Sequence, residues 1–185
     1  MAEAKVDKNA DTNSEPGADI VRQLRELLGE KGVREQPDAV MPQVILLPRN
    51  TDEVSGILRL CSAVGQPVVP LGGRTGLANG HFRTRGELGL SLERMNAIEE
   101  IDTHNRTMTV QAGVILQVAA EAAKEQDLLL PLDFGARGSA TVGGNAATNA
   151  GGNMVIRYGM LRESVLGLEV VLADGTVVTN LNKML

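Results

Sequence analysis

Two glycine-rich segments constrain this chain more than any other feature. The first, residues 68–80, reads VVPLGGRTGLANG, and the second, residues 138–152, reads GSATVGGNAATNAGG. No long helix or strand runs through such stretches, because glycine inside a regular element costs roughly 0.5–1 kcal/mol relative to alanine. The glycine runs within both must therefore be loops or very short turns, with the regular elements arranged around them. Each also lets backbone N–H groups converge on an anion with no side chain in the way. Two of them in one chain point to a single ligand with an extended, phosphate-bearing body, held from two sides. The alternative for each is purely structural: a strand-to-strand turn for the first, and two tight turns joined by a short helix for the second.

The chain has 185 residues, 43% of them hydrophobic, enough for one domain with an aliphatic core. Phe82, Phe134 and Tyr158 are its only aromatics and the net charge is −5. A base-stacking or phosphate-backbone nucleic-acid binder is thereby excluded. The single cysteine, Cys61, rules out an internal disulfide framework, reads as a small core residue on a helix, and fits a reducing, cytoplasmic location. No window is apolar for long enough to span a membrane. Residues 1–18 mix Asp, Glu and Lys with no apolar stretch, and are expected to form a disordered leader rather than a targeting segment.

Asp19 is expected to cap a helix carrying Ile20, Val21, Leu24, Leu27 and Leu28, ending at Gly29 or Gly32. That helix and a linker occupy residues 19–36, and the main domain occupies 37–185. Residues 43–47 form a strand. Asn50 with Glu53 makes a capping box for a helix that buries Val54, Ile57, Leu58 and Cys61 and stops near Gly65. Residues 67–70 form a second strand running into the first glycine segment, completing a βαβ unit whose loop lies at the strand's carboxyl edge, where open α/β sheets place ligands. From residue 87 the pattern changes: 87–92 and 107–111 alternate as half-buried strands, and 114–126 is a helix. Residues 167–178 are two β-branched runs around an Asp-Gly turn, a hairpin signal. The fold class is α+β: a small βαβ lobe followed by a larger, mostly antiparallel sheet with helices.

Neither glycine segment is a Walker A or a Rossmann fingerprint. Gly72, Gly73 and Gly76 can form an anion nest, with Thr75 adding a hydroxyl and Arg74 a charge or merely an exposed loop cation. Asn145 and Asn149 are four apart and would face one way on a helical turn. With Thr148 they offer neutral donors and acceptors. His81 and His104 stand in no metal-ligand spacing. Asp102 with His104, and the run Glu99, Glu100, Asp102, read as solvated surface. A binding site is legible here; acid–base machinery is not.

Taken in order, the words PLGGRTGLANG, LSLERMNAIEEID, VQAGVILQVAAEAA and LLLPLDFGARGSATVGGNAATNAGGNMVIRYGMLRESVLGLEVVLADGTVV identify a likeness. The chain resembles the PCMH-type FAD-binding domain of the vanillyl-alcohol oxidase / p-cresol methylhydroxylase flavoproteins. The D-2-hydroxyglutarate dehydrogenase, D-lactate dehydrogenase and glycolate oxidase flavin-subunit branch is the nearest part of that family. The resemblance implies that Gly72, Gly73, Arg74, Thr75, Gly76 and Asn79 hold the pyrophosphate, with Pro70 also among the cofactor-binding residues. It implies that Pro131, Leu132, Asp133, Gly138 and Ser139 line the cofactor between its diphosphate and flavin ends. Gly143, Gly144, Asn145, Thr148, Asn149, Gly151 and Gly152 would approach the ribityl chain, diphosphate and isoalloxazine edge. Tyr158 and Gly159 would follow against the cofactor, and Val165 would contact the adenine end. Some relatives link FAD through a first-loop histidine; Arg74 stands there instead, with His81 beyond it, so the implied FAD is non-covalent.

Three departures stand out: the stretch from Val33 to Gln43 is short, ANGHF replaces a small-residue run, and the chain stops at Leu185. The expectation is a C-terminally incomplete flavin domain without the substrate-binding cap. The implied reaction is oxidation of a D-2-hydroxy acid to the 2-oxo acid, with substrate handled only alongside a cap or partner chain and with an unspecified electron acceptor. A flavin- or nucleotide-binding module without turnover of its own is the alternative.

Overall fold

The computed structural model describes residues 17–36, 42–77, 80 and 86–181. The expected leader, Asn79 and His81 lie outside the described residues. The first helix, α1 (Ala18–Leu28), buries Ile20, Leu24 and Leu28 on one face. Its cap is Gly17, not Asp19, which lies in the first turn and pairs there with Arg22 at 3.5 Å. Ala18 carries the helix one residue further back than the polar signal. Asp19 then acts on the helix dipole rather than on a free N–H.

A four-stranded sheet forms from β1 (Val33–Glu35), β2 (Val44–Leu46), β3 (Val68–Leu71) and β4 (Leu88–Ser91), in the order β1-β2-β4-β3. β1 is antiparallel to β2; β2 and β3 both run parallel to β4. The βαβ unit is present, through α2 (Thr51–Ala63), but β4 occupies the slot between its two strands. Residues 88–91 thus belong to the first lobe, and the change of pattern comes after them. All four are buried. Their alternation is apolar with small, not apolar with polar. Leu88 and Leu90 join the helix-side core, while Gly89 lies against Leu71, Pro42 and Ile45. A parallel strand needs cover on both faces, and this composition provides it. Pro70, which has no N–H to offer, sits in β3 at the sheet's edge.

One core face gathers α1, α2 and the sheet around Leu24, Leu46, Ile57, Cys61 and Leu88; the other holds Ile45, Leu47, Val69 and Leu71. Cys61 is the core residue expected, and burial pushes its thiol up to about 11. The α2 cap differs in one arm. Asn50 Oδ1 accepts from Glu53 N at 2.9 Å, but the Glu53 carboxylate accepts from Arg49, not Asn50: from its backbone N at 2.8 Å and its guanidinium at 2.7 Å. Burial pushes the Glu53 carboxyl up, yet these bonds prevail and hold it below the usual range.

Two antiparallel ladders follow, β5 (Ile98–Asp102) with β6 (Thr107–Val110), and β7 (Glu169–Val171) with β8 (Val177–Thr179). The acidic run 99–102 is therefore strand, and Asp102 Oδ1 closes its turn by accepting from His104 N and Asn105 N at 3.0 Å each. The β7–β8 turn closes at Gly175, φ 84°, as the Asp-Gly signal predicts. This hairpin returns to α2, where Ser55 Oγ donates to the Gly175 carbonyl at 2.5 Å. Between the ladders lie α3 (Leu116–Lys124), α4 (Val142–Ala147) and α5 (Val155–Tyr158). Among the described residues no helix is long and apolar enough to cross a membrane.

Candidate functional site

The two glycine segments meet. A Cβ on Gly72 would stand 2.9 Å from Thr141 Oγ1 and 3.5 Å from Gly144 Cα. One on Gly73 would overlap the Ser139 carbonyl and come within 2.8 Å of Ala140 Cα. Only glycine permits the two backbones to lie this close.

The second segment is held rigidly for this encounter. Leu116 N donates to Ala140 O, Val142 N to Val114 O, and Gly143 N to Ala112 O, each at 2.8 Å. Thr141 caps α4 by accepting from Gly144 N at 3.2 Å. Gly113 in turn packs directly under the Leu92 carbonyl, just past β4. Close backbone approaches thus run from the sheet through residues 112–113 to the Gly143–Gly144 pair and on to Gly72.

Within the first loop, the positive φ falls on Arg74 (56°) rather than on any of its glycines. Left-handed backbone at a non-glycine residue stores about 1–3 kcal/mol. Gly72 and Gly73 serve close approach instead, and Gly76 faces open space. Arg74 is exposed and its charge reaches Glu93. Burial pushes the Glu93 carboxyl up, but Arg34, Ser91 and Arg74 together bring it below the usual range. Thr75 is half-buried, and Pro70 lies exposed one strand-end earlier.

The side chains of the second segment divide by what they are bonded to. Thr148 Oγ1 donates back to Gly144 O at 2.9 Å. Asn149 lies beyond α4 in left-handed conformation, φ 49°, and its Oδ1 accepts from Arg162 N at 3.0 Å. The expected shared face of Asn145 and Asn149 is therefore absent, because the helix ends at Ala147 before reaching Asn149. Asn145 is 5% exposed. Its Nδ2 has no hydrogen-bond partner, the one buried side-chain N or O so placed among the described residues.

A second junction joins residues 131–133 to 151–153. Gly152 packs directly on the Asp133 carbonyl, which accepts from Asn153 N at 2.7 Å. Asp133 also pairs with Arg137 at 2.6 Å and accepts from Asn153 Nδ2, and the two bonds hold its carboxyl below the usual range. Leu132 is buried beside Asp133, and Pro131 is half-buried. Gly138 lies against Gln117, Ser139 is exposed over Gly73, and Gly151 packs on Met160. Tyr158, with the Arg157 guanidinium 5.1 Å from its ring centre, Gly159 and Val165 belong to the 155–165 segment. That segment is tied to the turn after α4, where Leu161 N donates to Ala150 O at 3.0 Å. A hollow of about 340 Å³ lies between α3 and this junction, lined in part by Leu132, Asp133 and Arg137, and includes no residue of 72–76 or 143–152.

Three contributors were not singled out in the sequence: Thr141, the Ala112–Gly113 turn, and Asn153. Thr141 carried a signal, a threonine just ahead of a short helix. The other two carried none, since their role exists only where distant backbones meet.

Fold and junction together define a class: a small α+β domain that closes two backbone-lined segments on one another, with an unpaired donor buried in the short helix that follows the contact. The family model described as "FAD binding domain" matches residues 42–180, and the chain belongs to that family. D-2-hydroxyglutarate dehydrogenase of Xanthomonas citri pv. viticola is 52% identical over 134 residues, which are 72% of this chain and 28% of the relative. The mitochondrial D-2-hydroxyglutarate dehydrogenase of Bos taurus is 45% identical over 142 residues, 77% of this chain and 26% of the relative. Glycolate oxidase subunit GlcD of Bacillus subtilis is 43% identical over 144 residues, 78% of this chain and 31% of the relative. The chain thus spans about a third or less of these proteins. Among solved structures, an alkyldihydroxyacetonephosphate synthase superposes with a TM-score of 0.81 at 19% identity, over 90% of this chain and 39% of that one. 6-Hydroxy-D-nicotine oxidase of Arthrobacter nicotinovorans does so with 0.69 at 21% identity, over 85% and 33%. At those identities the likeness is one of fold.

Proposed function

We propose that this chain holds FAD non-covalently, as the flavin-binding part of an oxidoreductase that converts a D-2-hydroxy acid to the 2-oxo acid. The observation that supports it most is the junction itself: Gly72 and Gly73 against Ser139–Gly144, with the buried, unpaired Asn145 amide on the helix that begins there. The residues fit the group. The glycines that let the two backbones meet also leave N–H groups bare of side chains, as an anion needs, and an uncharged buried donor suits a bound oxygen. In this reading Gly72–Gly76 and Asn79 face the diphosphate, Asp133 and Gly152 fix the turn along its length, and 143–149 form the opposite wall. Arg74 supplies a cation where a covalent link would require a nucleophilic side chain. Bound FAD supplies the electron acceptor for the oxidation. The chain's own part is to bind and orient it.

Substrate chemistry rests on the named relatives alone. The reading assigns the substrate's proton to no residue of this chain. A cytoplasmic location is proposed from the lone buried thiol, although several relatives bear mitochondrial names. The experiment is an absorbance titration. The 185-residue chain should take up FAD and show flavin bands near about 370 and 450 nm. Anaerobic D-2-hydroxyglutarate or D-lactate should not bleach them. Failure to bind FAD would overturn the reading, and rapid bleaching would reveal a base within this chain.

A further inference from the structure

We infer that the hollow beside α3 is a second binding site, one that takes an aliphatic carboxylate, its chain laid on an apolar floor and its headgroup at Lys124. The inference goes beyond the FAD reading and does not rest on it. The hollow has a volume of about 340 Å³ and includes no residue of either glycine segment. Clefts that bind small organic molecules run from about 300 to 1,000 Å³, with an apolar lining and a few placed polar groups. Here Leu116, Ala120, Leu128, Leu129, Leu132 and Met154 give the apolar lining. Leu116 and Leu132 are buried at its base, whereas Leu129 is 57% exposed. The frame is fixed before any ligand arrives. Leu116 N donates to Ala140 O at 2.8 Å, Gln117 N to Arg137 O at 3.1 Å and Leu128 N to Ala123 O at 3.0 Å.

The polar residues decide the headgroup. Both carboxylates of the lining are spent: Glu121 Oε1 accepts from Gln117 Nε2 at 2.8 Å, and Asp133 accepts from Arg137 at 2.6 Å and from Asn153 Nδ2 at 3.3 Å. The Lys124 ammonium, by contrast, makes no hydrogen bond or ion pair among the described residues. Leu116, Ala120 and Lys124 follow one another four apart, so one stripe of α3 reads apolar, small, cationic. The small residue in the middle leaves the space, and the cation stands at the end of the stripe, in the helix's last turn. Two cations and two carboxylates balance across the lining, so no net charge draws a ligand in from afar. Burial of an apolar chain must therefore supply most of the affinity, and the free donor selects an acceptor headgroup. A carboxylate on an unbranched chain has that form. An amine would meet the ammonium with like charge.

The test titrates the full 185-residue chain by calorimetry with butanoate, hexanoate and octanoate, and with octanol as the uncharged counterpart. Affinity should rise about threefold to fourfold for each methylene added. Octanoate should bind about threefold or more tighter than octanol. Lys124→Met should erase that preference, and Lys124→Arg should keep it. Ala120→Leu fills the hollow from its middle and should weaken octanoate about tenfold or more. Leu129→Asp, at an exposed position where folding is little affected, should do the same. Val118→Asp, on α3 but outside the hollow, should leave octanoate affinity within twofold of wild type. No binding, an affinity indifferent to chain length, or one that survives both Ala120→Leu and Leu129→Asp would overturn the site. An unchanged preference in Lys124→Met would overturn the headgroup assignment. FAD and octanoate should bind side by side; competition would make the hollow part of the cofactor site and overturn the inference. A chain that takes octanoate but no FAD would overturn the FAD reading alone.

Discussion

The sheet lobe and the cleft are held together by different physics. In the lobe, α1 and α2 cover β2 and β4 with apolar side chains, and Leu24, Leu46, Ile57 and Leu88 are completely buried. Each such side chain contributes about 1.5–3 kcal/mol. Around the cleft the helices are short, α4 running only Val142–Ala147 and α5 only Val155–Tyr158. Their order comes from backbone hydrogen bonds, a threonine cap and glycines on which a Cβ would collide with main chain. The first kind of region tolerates changes of shape at a graded cost. The second admits almost none at a few positions, and it leaves one polar group unsatisfied. On the proposed function the difference separates stability from binding: the lobe sets how well the chain folds, and the junction of the glycine segments sets what it holds.

Ile57→Ala is the strongest blow to the lobe. Truncating a fully buried isoleucine should cost about 2–5 kcal/mol, seen as a fall of roughly 2–4 °C in melting temperature per kcal/mol for a chain of this size. The affinity of the folded fraction for FAD should stay within twofold of wild type. A parallel loss of affinity would erase the distinction between the regions.

Gly73→Ala reverses the pattern. Its methyl group would meet Ser139 and Ala140 backbone, which cannot step aside as a flexible side chain does. FAD binding should weaken about tenfold or more, roughly 1.4 kcal/mol, while the circular dichroism of the lobe is retained. Gly144→Ala is the milder control, because its Cβ would meet only Thr141 Oγ1 at 3.0 Å and Gly72 Cα at 3.9 Å. Equal affinities for the two variants would mean that close approach at Gly73 plays no part in binding.

The smallest effect is the lobe's response to acid. Glu53 has its carboxyl lowered in the folded chain by Arg49, so the folded state favours the ionised form. The stability it contributes is present above the ordinary glutamate range near 4.5 and fades as pH falls through the lower, folded value. Urea midpoints should therefore decline from pH 6 to pH 3, and less steeply in Glu53→Gln. Identical slopes would show that the Arg49 pair, exposed on its arginine side, is fully screened.

Much of the lobe was legible in the residues. Helical spacing marked α1 and α2, Asn50 marked a cap, and Asp174-Gly175 marked the last turn, because each signal acts over a few neighbouring residues. The misplaced details are also local: Asp19 yielded to Gly17, and Glu53 turned to Arg49. Of the site, the glycine segments and their Asn and Thr residues were visible, and so was the family likeness that the FAD-binding match bears out. The place of β4 was not. Leu88–Ser91 alternates in a way that fits either a half-buried edge or a central strand flanked by small residues, and only its neighbours decide between them.

Local chemistry, then, was settled by residue order: where helices begin, which turns need glycine, which segments can bring bare backbone to an anion. Tertiary packing alone decided that β4 lies between β2 and β3, that Gly72 rests against Thr141, that Arg74 takes the left-handed turn, and that Asn145 Nδ2 is left without an acceptor. The reason is range. Periodicity and capping are written within one turn of chain. Close approach between residues near 72 and near 144, and the lack of a partner for a buried amide, exist only after segments about seventy residues apart have been brought together.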